Sequence, residues 1–140
     1  MKAKKIDHIC IAVKDLEKAK KIYEDVLGLE LFCEYIADSE KIRVARYYIG
    51  EVALELMEST SPDGEVAKFI EKNGEGVFLI SYGVDNVVEK MKELKEKGYN
   101  LIDNKPRELF GNRYAFINHP KEMCGVLTEI CDGDFTIHDL

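Results

Sequence analysis

No stretch of this 140-residue chain approaches the roughly 20 consecutive apolar residues that a bilayer-spanning helix needs. A helical membrane protein is therefore not expected. Basic residues are also in deficit: 20 Lys and Arg against 27 Asp and Glu leave a formal net charge of −7. That is the wrong sign for a nucleic-acid binder, which normally carries a basic surplus. The four cysteines, Cys10, Cys33, Cys124 and Cys131, contain no C-x-x-C pair. They are read as small buried hydrophobes in a reducing compartment, not as a zinc site. The basic start, Met1 to Lys5, runs into Asp7 and His8 instead of an uninterrupted apolar segment. No secretory leader is expected, and the chain is read as cytoplasmic.

What is present is a globular composition, 46% apolar and 34% charged, in a length typical of one domain. Ile6 to Val13 alternates as a half-buried strand. Asp15 then offers an N-cap, Leu16, Ala19, Ile22, Tyr23, Val26 and Leu27 follow at helical spacing, and Gly28 stands where a helix would end. Leu29 to Ile36, Ile42 to Ile49 and Glu51 to Met57 read as strands, the last two joined by a tight turn at Gly50. A short helix is expected over Glu65 to Lys72. The pattern then restarts with a strand, Val77 to Val84, and a helix capped by Asn86 with Glu89 three residues on, closed by Gly98. Tyr99 to Asp103, Arg113 to Asn118 and Gly125 to Cys131 are the remaining predicted strands, with Asn104 to Gly111 a loop.

The second half repeats the first. A shift of 71 positions places Ile9 on Ile80, Val13 on Val84 and Asp15 on Asn86. Each half is a sheet with one helix on one face, which leaves the other face to meet its sister module, a second subunit or a ligand. The expected organisation is one domain with a first module over about residues 1–60, a linking helix over 61–73 and a second module over 74–140.

Alternation also sorts the polar groups. His8 lies on the face of its strand opposite Ile9, Ile11 and Val13. Glu55 stands between Ala53 and Met57, and Glu129 between Leu127 and Cys131. Three strands thus each deliver one ionisable group to an otherwise apolar face. A buried carboxylate is costly unless paired, hydrogen-bonded or metal-bound. An imidazole with two carboxylates suits a divalent cation, and the same trio suits acid–base work. His119, before Pro120, reads as a turn residue, and His138 as part of a C-terminal tail. The run Lys90, Lys92, Lys95 and Lys97, interleaved with Glu89, Glu93 and Glu96, is a solvated helix face.

The segments Ile6 to Glu17, Tyr23 to Leu29, Glu55 to Glu58, Ser61 to Asp63, Gly111 to Arg113, His119 to Lys121 and Gly125 to Glu129 together resemble methylmalonyl-CoA epimerases. These belong to the vicinal-oxygen-chelate superfamily, with glyoxalase I, extradiol dioxygenases and bleomycin-resistance proteins. The resemblance covers nearly the whole chain. It implies an α+β fold of two βαβββ modules forming a curved mixed sheet with a central cleft, in agreement with the repeat. It implies His8, Glu55 and Glu129 as metal ligands, with a divalent ion such as Co, Ni, Zn or Mn.

Two departures stand out. The family's fourth ligand, a histidine in the strand that opens the second half, is Leu79 here, the repeat partner of His8. The epimerase's catalytic glutamate falls on Ser39, with Asp38 and Glu40 adjacent. Two readings follow. In one, the protein is an epimerase-like or glyoxalase-like enzyme that stabilises an enolate of an acyl-CoA or related carbonyl compound, with Glu129 or an acid near Asp38 moving the α-proton. In the other, it binds a small apolar or aromatic molecule without metal in a cleft lined by Tyr48, Met57, Phe78 and Leu79. The expected partners are a small molecule and a second copy of the chain, with no nucleic acid and no membrane.

Overall fold

The structure, a computed structural model, describes residues 1–135; His138 lies outside them. The chain divides into two compact units, one of residues 8–78 and one of residues 1–7 with 79 onward. Among the described residues, no helix is long and apolar enough to cross a membrane.

The first unit holds most of β1 (Lys5–Ala12), then α1 (Leu16–Leu27), β2 (Leu31–Ala37), β3 (Ile42–Ile49), β4 (Val52–Ser59) and α2 (Glu65–Asn73). Its strand order is β2-β3-β4-β1, with β1 parallel to β4 and the others antiparallel. The alternation read in β1 is borne out. Ile9 and Ile11 pack with Val13, Leu16, Ala19, Ala45, Tyr47, Leu54 and Leu56 to form the core under α1, so His8, Cys10 and Ala12 take the other face. Asp15 caps α1 by accepting from the Lys18 amide at 3.1 Å. Gly28, in the left-handed region at φ +65°, ends it. The β3–β4 turn uses Gly50 at φ +61°. Tyr47 donates to Glu24 at 2.7 Å and so fastens β3 to α1.

The second unit carries most of β5 (Gly76–Gly83), then α3 (Val87–Glu96), β6 (Arg107–Leu109), β7 (Asn112–Phe116) and β8 (Leu127–Asp132). Its order is β5-β8-β7-β6, with β5 parallel to β8. Val84, Val87, Met91, Leu94, Ala115, Ile117 and Ile130 form its core. Asn86 caps α3, accepting from the Glu89 amide at 3.0 Å.

The repeat extends to a device that the sequence did not reveal. In the first unit the Glu58 carboxylate, from the end of β4, accepts from the Leu16 amide at 2.7 Å. In the second, the Asp132 carboxylate, from the end of β8, accepts from the Val87 amide at 2.6 Å. Each helix thus has a cap from its own preceding loop and an acceptor from the parallel partner of its preceding strand, which satisfies two orphan donors.

Several expectations are corrected. The predicted loop over 104–111 contains β6, because Phe110 and Gly111, at φ +49° and +81°, form a two-residue hairpin turn between Leu109 and Asn112. A Phe at a position usually taken by Asn or Gly hid that turn. Leu101 makes only an isolated bridge to Asn118 instead of a strand. Asp103 turns its carboxylate onto Arg107 and the Phe116 amide there. On α1, Ile22, Val26 and Leu27 are exposed, Val26 by 74%, so the apolar stripe is narrower than its spacing suggested. All four cysteines are free, but only Cys10 and Cys131 are buried; Cys33 is half-buried and Cys124 exposed.

Asp132 serves both the α3 amide and the Arg113 guanidinium, at 2.6 and 2.9 Å to the latter. Asp132→Ala should cost about 2 kcal/mol by urea unfolding, the worth of a charged cap with its ion pair. Exposed Asp134→Ala is the control expected to stay within about 0.5 kcal/mol.

Candidate functional site

In the first unit, two registers converge on one carboxylate. The parallel β1–β4 register sets Cys10 beside Glu55, and the antiparallel β3–β4 register sets Arg46 directly across from Glu55. Glu55 is 2% exposed and Arg46 3%. One carboxylate oxygen, Oε2, accepts from the Arg46 Nη1 at 2.9 Å and from the Tyr35 hydroxyl at 2.7 Å. The other, Oε1, takes the Cys10 Sγ at 3.6 Å and faces the His8 Nε2 at 3.9 Å. Arg46 in turn donates Nε and Nη2 to the Tyr48 hydroxyl at 3.2 and 3.1 Å.

The electrostatics follow from this packing. Burial works against the charge on Arg46, but Glu55 and the Tyr48 hydroxyl more than offset it and raise its pKa above the ordinary value. Burial, reinforced by the neighbouring Glu55 charge, holds the Tyr35 phenol protonated well above its usual range. Glu55 thus stands between a buried guanidinium and a phenol that keeps its proton.

This bears on the divalent ion that the family implies. The donor atoms of His8, Cys10 and Glu55 lie within 4.8 Å of one another, so a cation has ligand atoms to reach. The charge does not fit. A dication on Oε1 would have to share the single negative charge of Glu55 with the buried guanidinium that Oε2 already serves, leaving the set with a net positive charge. Nor can the Leu79 side chain, 2% exposed on β5, ligate anything.

The second unit places the other sequence-predicted acid. Glu129 is buried on β8, on the face turned away from the α3 core. Its register neighbours are Ser81 on β5 and Phe116 on β7. Where the first unit sets Arg46 across from Glu55, the second thus sets an aromatic ring across from Glu129. The Ser81 hydroxyl is fully buried and has no hydrogen-bond partner among the described residues.

The structure brings His8 and Glu55 together in the first unit, and Glu129 belongs to the second. Asp38 is exposed in a short 3-10 turn, Asp38–Glu40, in which Glu40 is half-buried. Of the predicted lining residues, Met57 and Leu79 are buried, Phe78 packs edge-on against Phe69 of α2, and Tyr48 is part of the Arg46 set. Arg46, Tyr35 and Ser81 were missed. For Arg46 a signal existed: pairing outward from the turn at Gly50 brings Arg46 opposite Glu55. Tyr35 gave none, because β2 carries a bulge between Leu31 and Cys33.

Removing one partner of a buried ion pair leaves the other uncompensated. Arg46→Met should therefore destabilise the protein by about 3–5 kcal/mol, and Arg46→Met with Glu55→Gln should recover most of that loss in urea unfolding. A double variant as unstable as the single one would mean that the pair is not the unit of stability.

A sequence profile of the Glyoxalase/Bleomycin resistance protein/Dioxygenase superfamily matches residues 7–116. The chain is 37% identical over 129 residues to the uncharacterized protein YqjC of Bacillus subtilis (strain 168), covering 91% of each. A solved methylmalonyl-CoA epimerase in complex with methylmalonyl-CoA and NH4+ superposes with a TM-score of 0.88 at 34% identity, over 94% of this chain and 96% of that one. A variant Streptomyces coelicolor methylmalonyl-CoA epimerase bound to 2-nitronate-propionyl-CoA gives 0.88 at 34% identity, over 94% and 99%. The profile match covers well over half of the chain and reaches into both units, so the chain belongs to the Glyoxalase/Bleomycin resistance protein/Dioxygenase superfamily.

Proposed function

We propose that this protein binds an acyl-CoA or related carbonyl compound and moves its α-proton, as an epimerase does, without a resident divalent ion. The observation that carries the reading is the placement of Glu129, buried on the face of β8 turned away from the α3 core and in register with Ser81. Glu55 is fixed by Arg46 and Tyr35 and serves as a counter-ion. Glu129 stands buried beside a hydroxyl and an aromatic ring in its strand register, a setting suited to a carboxylate that exchanges a proton. The likeness to epimerases solved with acyl-CoA compounds supports the substrate class.

A thioester makes its α-hydrogen acidic, so one carboxylate can remove it to leave an enolate. Inversion requires a proton from a second acid, and Asp38 is proposed for that role on its place in sequence beside the epimerase glutamate position. His8 and the Glu55–Arg46 pair shape and neutralise the first unit's buried face.

A second reading, a metal-free binder of a small apolar or aromatic molecule, is favoured by the apolar Leu79 at a ligand position. Incubation with methylmalonyl-CoA in D2O separates the two. The epimerase reading expects deuterium at the α-carbon, a rate at least 10²-fold lower in Glu129→Gln, and no change on adding EDTA or cobalt. Saturable binding without exchange would support the second reading. Exchange that is lost with EDTA would overturn the metal-free mechanism.

A further inference from the structure

Ser81 is the only residue of β5 whose side chain is a fully buried polar group with no hydrogen-bond partner among the described residues. Such a hydroxyl costs about 1–3 kcal/mol relative to a satisfied one, so its place in the middle of a core strand needs a reason. The repeat supplies an internal control. The first-unit counterpart of Ser81 is Cys10, which directs its donor to Glu55 Oε1 at 3.6 Å. Ser81 stands in the same register with Glu129 but makes no such bond. The nearby Thr128 hydroxyl donates to the Val126 carbonyl at 3.0 Å and is committed to the backbone. The other orphan, Asn118 Oδ1, is an acceptor and has nothing to offer an anion.

We propose that Ser81 is the electrophilic residue of the reaction: its O–H donates to the carbonyl oxygen of the bound thioester and stabilises the negative charge that gathers there. This rests on the proton-transfer function proposed above. In the step, the α C–H bond breaks and its proton passes to the Glu129 carboxylate. The electron pair forms the C=C bond of the enolate, and the former carbonyl oxygen becomes the anion that accepts from Ser81. Return of a proton to the α-carbon reverses the flow, with no oxidant or reductant. A donor held in a water-poor site and uncommitted to another acceptor can turn to an oxygen on which charge develops, where its hydrogen bond is worth more than in water.

The test uses the full chain with Ser81→Ala and Ser81→Thr, read by α-proton exchange of methylmalonyl-CoA in D2O, by propionyl-CoA binding and by thermal melting. Ser81→Ala is expected to lower kcat by about 10²–10³-fold with KM and propionyl-CoA affinity within about threefold of wild type, the signature of a contact made only in the transition state. Its Tm should stay level or rise, because an unsatisfied buried group is removed, and Ser81→Thr should restore part of the rate. Exchange by Ser81→Ala within threefold of wild type overturns the assignment and leaves the parent function standing. A fall in Tm with kcat intact means that the hydroxyl holds a structural water, and also overturns it. A wild-type protein that neither binds nor exchanges these thioesters refutes the parent function, and the role of Ser81 falls with it.

Discussion

The cost of hiding the Glu55 carboxylate from water organises the first unit. A carboxylate at 2% exposure is tolerable only with a counter-charge and satisfied lone pairs, and here both come from neighbouring strands. Arg46 from β3 and Tyr35 from β2 reach the same oxygen, so three strands converge on one group. A one-residue slip of β3 against β4 would turn the guanidinium to the α1 side and leave the acid stranded. The pair therefore enforces register as well as charge. An apolar pair of similar volume could be as stable or more so. What the ion pair adds is a fixed counter-charge on the buried carboxylate, chemically unlike a site that awaits a dication.

The internal repeat makes this contrast readable within one molecule. Both units keep the scaffold chemistry: a capped helix, an acid from the end of the fourth strand on that helix's first turn, and parallel pairing of the first and fourth strands. They differ where function resides. His8, Cys10 and Arg46 in the first unit correspond to Leu79, Ser81 and Phe116 in the second. The register neighbours of Glu55 are Cys10 and Arg46, and those of Glu129 are Ser81 and Phe116.

Most of the fold was legible because its signals are local. Strand alternation, the Asp15 and Asn86 caps and the terminating Gly28 depend on a few consecutive residues, and all appear as read. Alternation also assigned His8, Glu55 and Glu129 to the faces away from the helices. What escaped depends on pairing between strands. The Arg46–Glu55 contact follows from counting outward from Gly50, yet Arg46 looks in isolation like an ordinary exposed residue of an edge-side strand. The β6 hairpin was hidden by Phe110 at positive φ, a conformation that side chains other than Asn and Asp rarely adopt. Ile22, Val26 and Leu27 match helical spacing but remain exposed, since periodicity says which residues share a face and not how much of that face is covered.

The substitutions at the repeat positions also constrain the chemistry the site can support. A neutral hydroxyl stabilises less developing charge than a divalent ion, so a reaction that relies on Ser81 places more demand on the acidity of the substrate itself. A thioester α-carbon flanked by a second electron-withdrawing carbonyl meets that demand better than a simple acyl chain, because the second group shares the charge. The Glu55–Arg46 pair keeps the buried carboxylate of the first unit beside its own counter-charge. In this account the loss of a histidine at Leu79, the gain of Arg46 beside Glu55 and the idle hydroxyl at Ser81 form one coherent set, each making sense of the other two.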